Sequence, residues 1–134
     1  MIAVDTSVVL QWVLIDPTES EFGGLIGNPD LAAPDVILVQ AANVLTKKVR
    51  LNEIGVEQAR DGLRFLRSAI PTQVPLTVLI DRAFELSLQR SHPVYDCVFL
   101  ACAEQLACRL VTRDRPFAKR VKERSLGHLL EGAQ

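Results

Sequence analysis

Short apolar runs of strand length alternate along this chain with longer stretches whose apolar residues recur at helical spacing, and that alternation narrows the possible folds more than any other feature. Ile2–Val4 reads as a buried strand, and Thr6–Leu14 as a helix carried by Val8, Val9, Trp12 and Val13. Asp16-Pro17-Thr18-Glu19 combines an N-cap, a proline at the first helical position and a capping-box glutamate, which predicts a second helix running to Gly23-Gly24 and ending by Gly27-Asn28-Pro29. Leu31-Ala32-Ala33 is extended before Pro34, and Asp35 is placed to cap a helix over 36–50. A helix over 56–68 runs through Ala59, Leu63 and Leu66, Pro71 and Pro75 bracket a short strand, and Thr77 starts another helix that ends at the turn Ser91-His92-Pro93. The segment 94–107 is apolar nearly all round, the mark of a central buried helix. A strand over 110–112 and a basic helix over 116–124 complete the series. The expected architecture is a three-layer α/β/α domain with a central, mostly parallel sheet covered on both faces.

At 134 residues, 49% of them hydrophobic, the chain is long enough for one domain, 1–134, with a sizeable core. A net charge of −1 excludes binding of nucleic acid through bulk positive charge, so any such contact needs a local basic face. Two basic runs exist, Lys47, Lys48 and Arg50, and then Arg113, Arg115, Lys119, Arg120, Lys122 and Arg124; each reads equally as a solvated helix face and as an RNA contact. Cys97, Cys102 and Cys108 are odd in number and form no C-x-x-C pair, which argues for small buried hydrophobes over a disulfide or zinc site. No leader pattern opens the chain and no apolar stretch approaches the roughly 18 residues of a membrane span. The expected compartment is therefore reducing and cytoplasmic.

Asp5, Asp96 and Asp114 stand where carboxylates can be aimed at one place although they lie far apart in the chain. Asp5 follows the first strand, Asp114 closes Leu110-Val111-Thr112-Arg113, and Asp96 opens the central helix. Groups just past the carboxyl ends of parallel strands share one crevice, where ligands of α/β proteins bind. Such a cluster suits Mg²⁺, a hard cation that takes carboxylate oxygens. Asp5 and Asp114 also have a plain structural reading as helix N-caps, whereas Asp96, flanked by Tyr95 and Cys97 in the most apolar helix, requires a partner. His92 and His128 pair with no serine or cysteine in a nucleophile motif. Gly23-Gly24-Leu25-Ile26-Gly27 follows helical sequence where a dinucleotide fingerprint needs a strand. Trp12 and Phe65 read as core or interface.

Asp5-Thr6-Ser7, Ala33-Pro34-Asp35 leading to Ala42-Asn43-Val44-Leu45, Tyr95-Asp96 with Leu100-Ala101 and Ala103-Glu104, and Val111-Thr112-Arg113-Asp114 with Phe117-Ala118 occur in an order that resembles the PIN-domain family, and within it the VapC-type ribonuclease toxins of bacterial toxin–antitoxin pairs. The likeness runs from residue 1 to about residue 125. It implies a Mg²⁺- or Mn²⁺-dependent endoribonuclease whose metal is held by Asp5, Asp96 and Asp114, with RNA as substrate, a cognate antitoxin and a homodimer; the amphipathic segments after Asp16 and Val56 are the candidate partner surfaces. The family's fourth acidic position falls on Gln40, where an amide keeps the shape of glutamate but loses its charge. That departure sustains an alternative reading, a catalytically weakened domain that binds RNA or a partner without cutting. Ser7, Asn43 and Thr112 are candidates to hold the carboxylates in place, and Arg113 and Arg115 to contact substrate. Glu104 reads as one half of a surface salt bridge. A receiver-like phospho-acceptor domain ranks low, because no acidic pair follows the first strand.

Overall fold

The computed structural model describes residues 1–16, 18–123 and 130–131. Its strands are β1 (Ile2–Val4), β2 (Leu31–Pro34), β3 (Thr72–Val74), β4 (Arg109–Val111) and β5 (Leu130–Glu131), and its helices α1 (Thr6–Leu14), α2 (Ile37–Arg50), α3 (Val56–Ala69), α4 (Leu76–Arg90), α5 (Val94–Gln105) and α6 (Arg115–Glu123). The strands form one sheet in the order β3-β2-β1-β4-β5, and every pairing is parallel. The three-layer α/β/α expectation holds. β1 is central: Ala3 pairs with Ala32 on one side and Leu110 on the other. Ala3, Val4, Leu31, Ala32, Ala33 and Leu110 are fully buried, as continuous apolar strands must be when both sheet faces are covered.

α1, α2 and α3 pack on one another, and α4 packs along α5, which lies across β1, β2 and β4. Gly62 lets α3 close on α1, since a Cβ there would stand 3.2 Å from Val13 Cβ. α5 is the core helix foreseen from its composition, buried without interruption from Cys97 to Ala103. Burial holds the thiol of Cys97 up at about 11 and that of Cys102 at about 12, so both stay protonated and behave as small hydrophobes. No helix among the described residues is long and apolar enough to cross a membrane.

Three local readings are corrected. The segment after Asp16 is not a helix: Asp16 Oδ1 accepts from Thr18 N at 3.0 Å and Thr18 Oγ1 at 2.8 Å, Ser20 Oγ takes Phe22 N, and the stretch ends in a short 3₁₀ turn, Gly23–Leu25. Side-chain bonds of this kind satisfy the backbone locally and so compete with the helix, and two consecutive glycines weaken it further. Pro17, the second element of that signal, lies outside the described residues. Asp35 caps a different helix from the one expected. Its Oδ1 accepts from Leu76 N at 3.0 Å, so it caps α4, while α2 starts at Ile37 without a side-chain cap. Finally, α5 stops at Gln105 and β4 at Val111, which leaves Thr112 just past its strand.

Candidate functional site

β1 and β4 are neighbours, yet the chain leaves them in opposite directions, α1 toward β2 and α6 toward β5. A crevice opens at such a switch point beyond the carboxyl ends of the strands. Asp5 and Asp114 flank it. Asp5 is the N-cap of α1: its Oδ1 accepts from Val8 N at 3.3 Å and from Ser7 Oγ at 2.6 Å. Asp114 stands in the same relation to α6, its Oδ1 accepting from Phe117 N at 3.0 Å. The capping reading and the site reading of these residues are therefore compatible, because one carboxylate oxygen per residue is enough for the cap.

Ser7 and Thr112 stitch the two strand ends together. Ser7 Oγ donates to Asp5 and accepts from Arg113 N at 2.9 Å, Thr112 Oγ1 accepts from Asp114 N at 3.0 Å, and Asp5 N donates to Val111 O. Burial dominates the ionisation of Asp5. With 8% of its surface exposed, its carboxyl is raised to about 6; hydrogen bonds from Ser7, Thr112 and Val8 offset part of the desolvation, and the Asp114 charge adds to it. Gln40 reaches the same end of the sheet from α2, its Oε1 accepting from Thr6 Oγ1 at 2.5 Å.

Asp96 is held differently. It lies in the first turn of α5, and its Oδ2 is 2.7 Å from His92 Nε2. The His92 ring stacks against Phe117, with centroids 4.9 Å apart, and Phe117 is the residue whose amide caps onto Asp114. Among the described residues no three histidine, cysteine or acidic side chains stand together as a ready-made metal cluster. The structure thus brings Asp5 and Asp114 together and directs Asp96 to His92.

The remaining candidates separate. Arg113 is engaged by protein, donating from Nε to Glu21 Oε1 at 3.2 Å and to the Gln11 oxygen, whose amide nitrogen in turn donates to Ser20 Oγ. Arg115 and Asn43 are exposed, Asn43 on α2 and Arg115 at the start of α6. Glu104 forms the foreseen surface pair with Arg82 at 2.8 Å. Trp12 is core, its Nε1 donating to Phe22 O, and Phe65 is partly exposed. His128 lies outside the described residues. The sequence reading missed His92 as a partner of Asp96; the available signal was its position one helical turn earlier, fixed by the adjoining Pro93.

Asp5, Asp114 and Gln40 offer oxygen atoms, the donor set of a hard divalent cation. A buried carboxylate beside a second one is unfavourable when both are charged, and a cation between them removes that cost. The residues present therefore fit Mg²⁺ or Mn²⁺. Comparison with known proteins gives a match of residues 2–123 to the PIN domain family model. The chain is also similar, at 31% identity over 114 residues, to a VapC ribonuclease of Mycobacterium bovis and to ribonuclease VapC9 of Mycobacterium tuberculosis, the match covering 85% of this chain and 86% of each relative.

Proposed function

Because the chain belongs to the PIN-domain family, we propose that it is a divalent-cation-dependent endoribonuclease that hydrolyses RNA phosphodiester bonds, the toxin of a toxin–antitoxin pair. The observation that carries this reading is the Asp5–Asp114 pair at the β1/β4 switch point, with Asp5 buried and its proton held up to about 6. Phosphodiester hydrolysis needs a water in line with the leaving oxygen and positive charge against the phosphoryl oxygens. Mg²⁺ or Mn²⁺ supplies that charge when bound. Asp5, Asp114 and Asp96 are the residues to hold it, and Ser7 and Thr112 keep the first two aimed. Gln40 brings an amide where a glutamate would bring charge, so its contribution is geometry and a hydrogen-bond donor. Arg115, exposed at the start of α6, is the side chain assigned to meet phosphate, and Arg113 serves first to anchor the segment before β2 through Glu21.

The partner surfaces follow the same reading. With no helix after Asp16, the antitoxin surface moves to the apolar cleft of about 280 Å³ between α2 and α3, lined by Ala42, Leu45, Val49, Val56 and Leu63. A homodimer is supported by the stripe Ile80, Phe84 and Leu88, which α4 leaves exposed.

The test is cleavage of single-stranded RNA by the purified chain across Mg²⁺ and Mn²⁺ titrations, with a chelator control. Cutting that requires the cation and disappears in Asp5→Asn supports the proposal. RNA binding without cutting at any cation concentration favours the weakened binding module and overturns it.

A further inference from the structure

Asp5 and Asp114 are aimed by backbone amides, because each is the N-cap of the helix that follows it. Among the described residues no backbone amide supports the Asp96 carboxylate in this way. Asp96 is the third residue of α5, inside the helix, where its side chain projects from the first turn and the cap position belongs to Pro93, which has no polar side chain. A ligand carboxylate on a rotatable side chain needs something else to fix it, since ligands are held by hydrogen bonds from behind.

We infer that His92 is the positioning residue for Asp96, fixing its carboxylate so that Oδ2 is occupied and Oδ1 is presented to the cation; this rests on the reading of Asp96 as a metal ligand. The turn that carries His92 is itself built to stay put. Ser91 ends α4 in the left-handed region at φ 51°, and Pro93 fixes the backbone on the other side. His92 N donates to Ser87 O, and His92 O accepts from Ser87 Oγ at 2.5 Å and from Cys97 Sγ at 3.9 Å. The imidazole is 11% exposed against 33% for the Asp96 side chain, so the more sheltered partner is the histidine and the carboxylate lies nearer solvent. The opposite face of the ring meets Phe117, tilted by 39°. Since the Phe117 amide holds Asp114, one contact chain, Asp96–His92–Phe117–Asp114, ties the first turn of α5 to the first turn of α6. A shift of either turn would be transmitted to the other carboxylate.

The experiment is a calorimetric Mn²⁺ titration of the full chain and of His92→Gln, His92→Phe and Asp96→Asn, each with its metal-free melting temperature. His92→Phe keeps a ring against Phe117 and removes the donor, and it should weaken Mn²⁺ binding by about 10- to 100-fold. His92→Gln restores an N–H donor and should stay within about 3-fold of the parent, a rescue that simple loss of packing does not give. Asp96→Asn should weaken binding at least as much as His92→Phe, and the double variant no further than Asp96→Asn alone. If Asp96→Asn loses affinity while His92→Phe binds as the parent does, the positioning role is wrong and Asp96 stands as a ligand. Parent-like binding by Asp96→Asn overturns both. Should His92→Phe not fold, the parent decides by NMR: the His92 imidazole signal, assigned against His92→Gln, should shift with Mg²⁺ along the binding curve of the calorimetry, and a signal that stays fixed at saturation overturns the inference.

Discussion

The two ends of the candidate site are built on opposite principles. At the β1/β4 end the carboxylates are fixed by main chain: Asp5 and Asp114 each cap a helix, two hydroxyls stitch their strands together, and Asp5 is buried deeply enough to be costly to ionise. At the α5 end Asp96 is more exposed and is held by one side chain from the preceding turn. The first arrangement gives precision at the expense of stability, whereas the second costs little and holds less firmly. A substitution at the first end should therefore separate chemistry from folding, because removing charge there relieves desolvation while removing a proposed ligand.

The largest effect tests that separation directly. Asp5→Asn keeps a capping oxygen but loses the charge, so RNA cleavage should fall by more than about 100-fold, beyond the range seen when mere supports of metal ligands are removed. Retained cleavage in this variant would place the chemistry elsewhere.

Next in size is the pH dependence of the metal-free protein. The Asp5 carboxyl is raised from an ordinary 3.8 to about 6, so between these values the folded state binds more protons than the unfolded one. Stability from this group is greatest below about pH 4 and is lost as pH rises through about 6, by an amount on the order of 3 kcal/mol. Denaturant titrations at pH 5 and 7.5 should show roughly half of this loss in the parent, since the rest falls below pH 5, and a flatter profile in Asp5→Asn. A parallel loss in both proteins would mean that Asp5 is not the group responsible. Saturating Mg²⁺ or Mn²⁺ should restore the loss, contributing about 2.7 kcal/mol at a hundred times the dissociation constant.

Gln40→Glu gives a smaller change in the opposite direction. A restored carboxylate beside Thr6 should tighten Mn²⁺ binding by about 10-fold, worth about 1.4 kcal/mol, and lower metal-free stability through repulsion. Unchanged binding and stability would show that position 40 is outside the reach of the cation. The smallest effect separates capping from charge at Asp114: Asp114→Ala should destabilise α6 by about 1 kcal/mol relative to Asp114→Asn, which keeps the cap, while the two lose cleavage alike. Equal melting temperatures for the pair would remove the cap from the account.

Strand and helix alternation was readable because the buried strands are short apolar blocks and α5 is apolar all round, features that composition alone displays. The Asp16 helix was misread because its signal is local, and the same aspartate and serine bond nearby backbone before a helix can form. Asp35 was assigned to the wrong helix for the complementary reason: it bonds a residue 41 positions away, which no local pattern encodes. Position just past two apolar strands pointed to Asp5 and Asp114, and the opening of the apolar helix to Asp96, with the family likeness falling on the same three; the parallel register explains why the first two meet. His92 escaped notice because a lone histidine beside a proline reads as a turn, and its value lies in what faces it.

The central place of β1 has a consequence for how the molecule comes into being. Its partner β4 lies about a hundred residues further along the chain, so the pairing that sets Asp5 beside Asp114 is among the most non-local contacts of the fold. During synthesis the first aspartate waits, unpaired on that side, until β4 has left the ribosome. The Asp5–Asp114 pair is consequently the last part of the proposed site to assemble, after Gln40 and Asp96 have already been made.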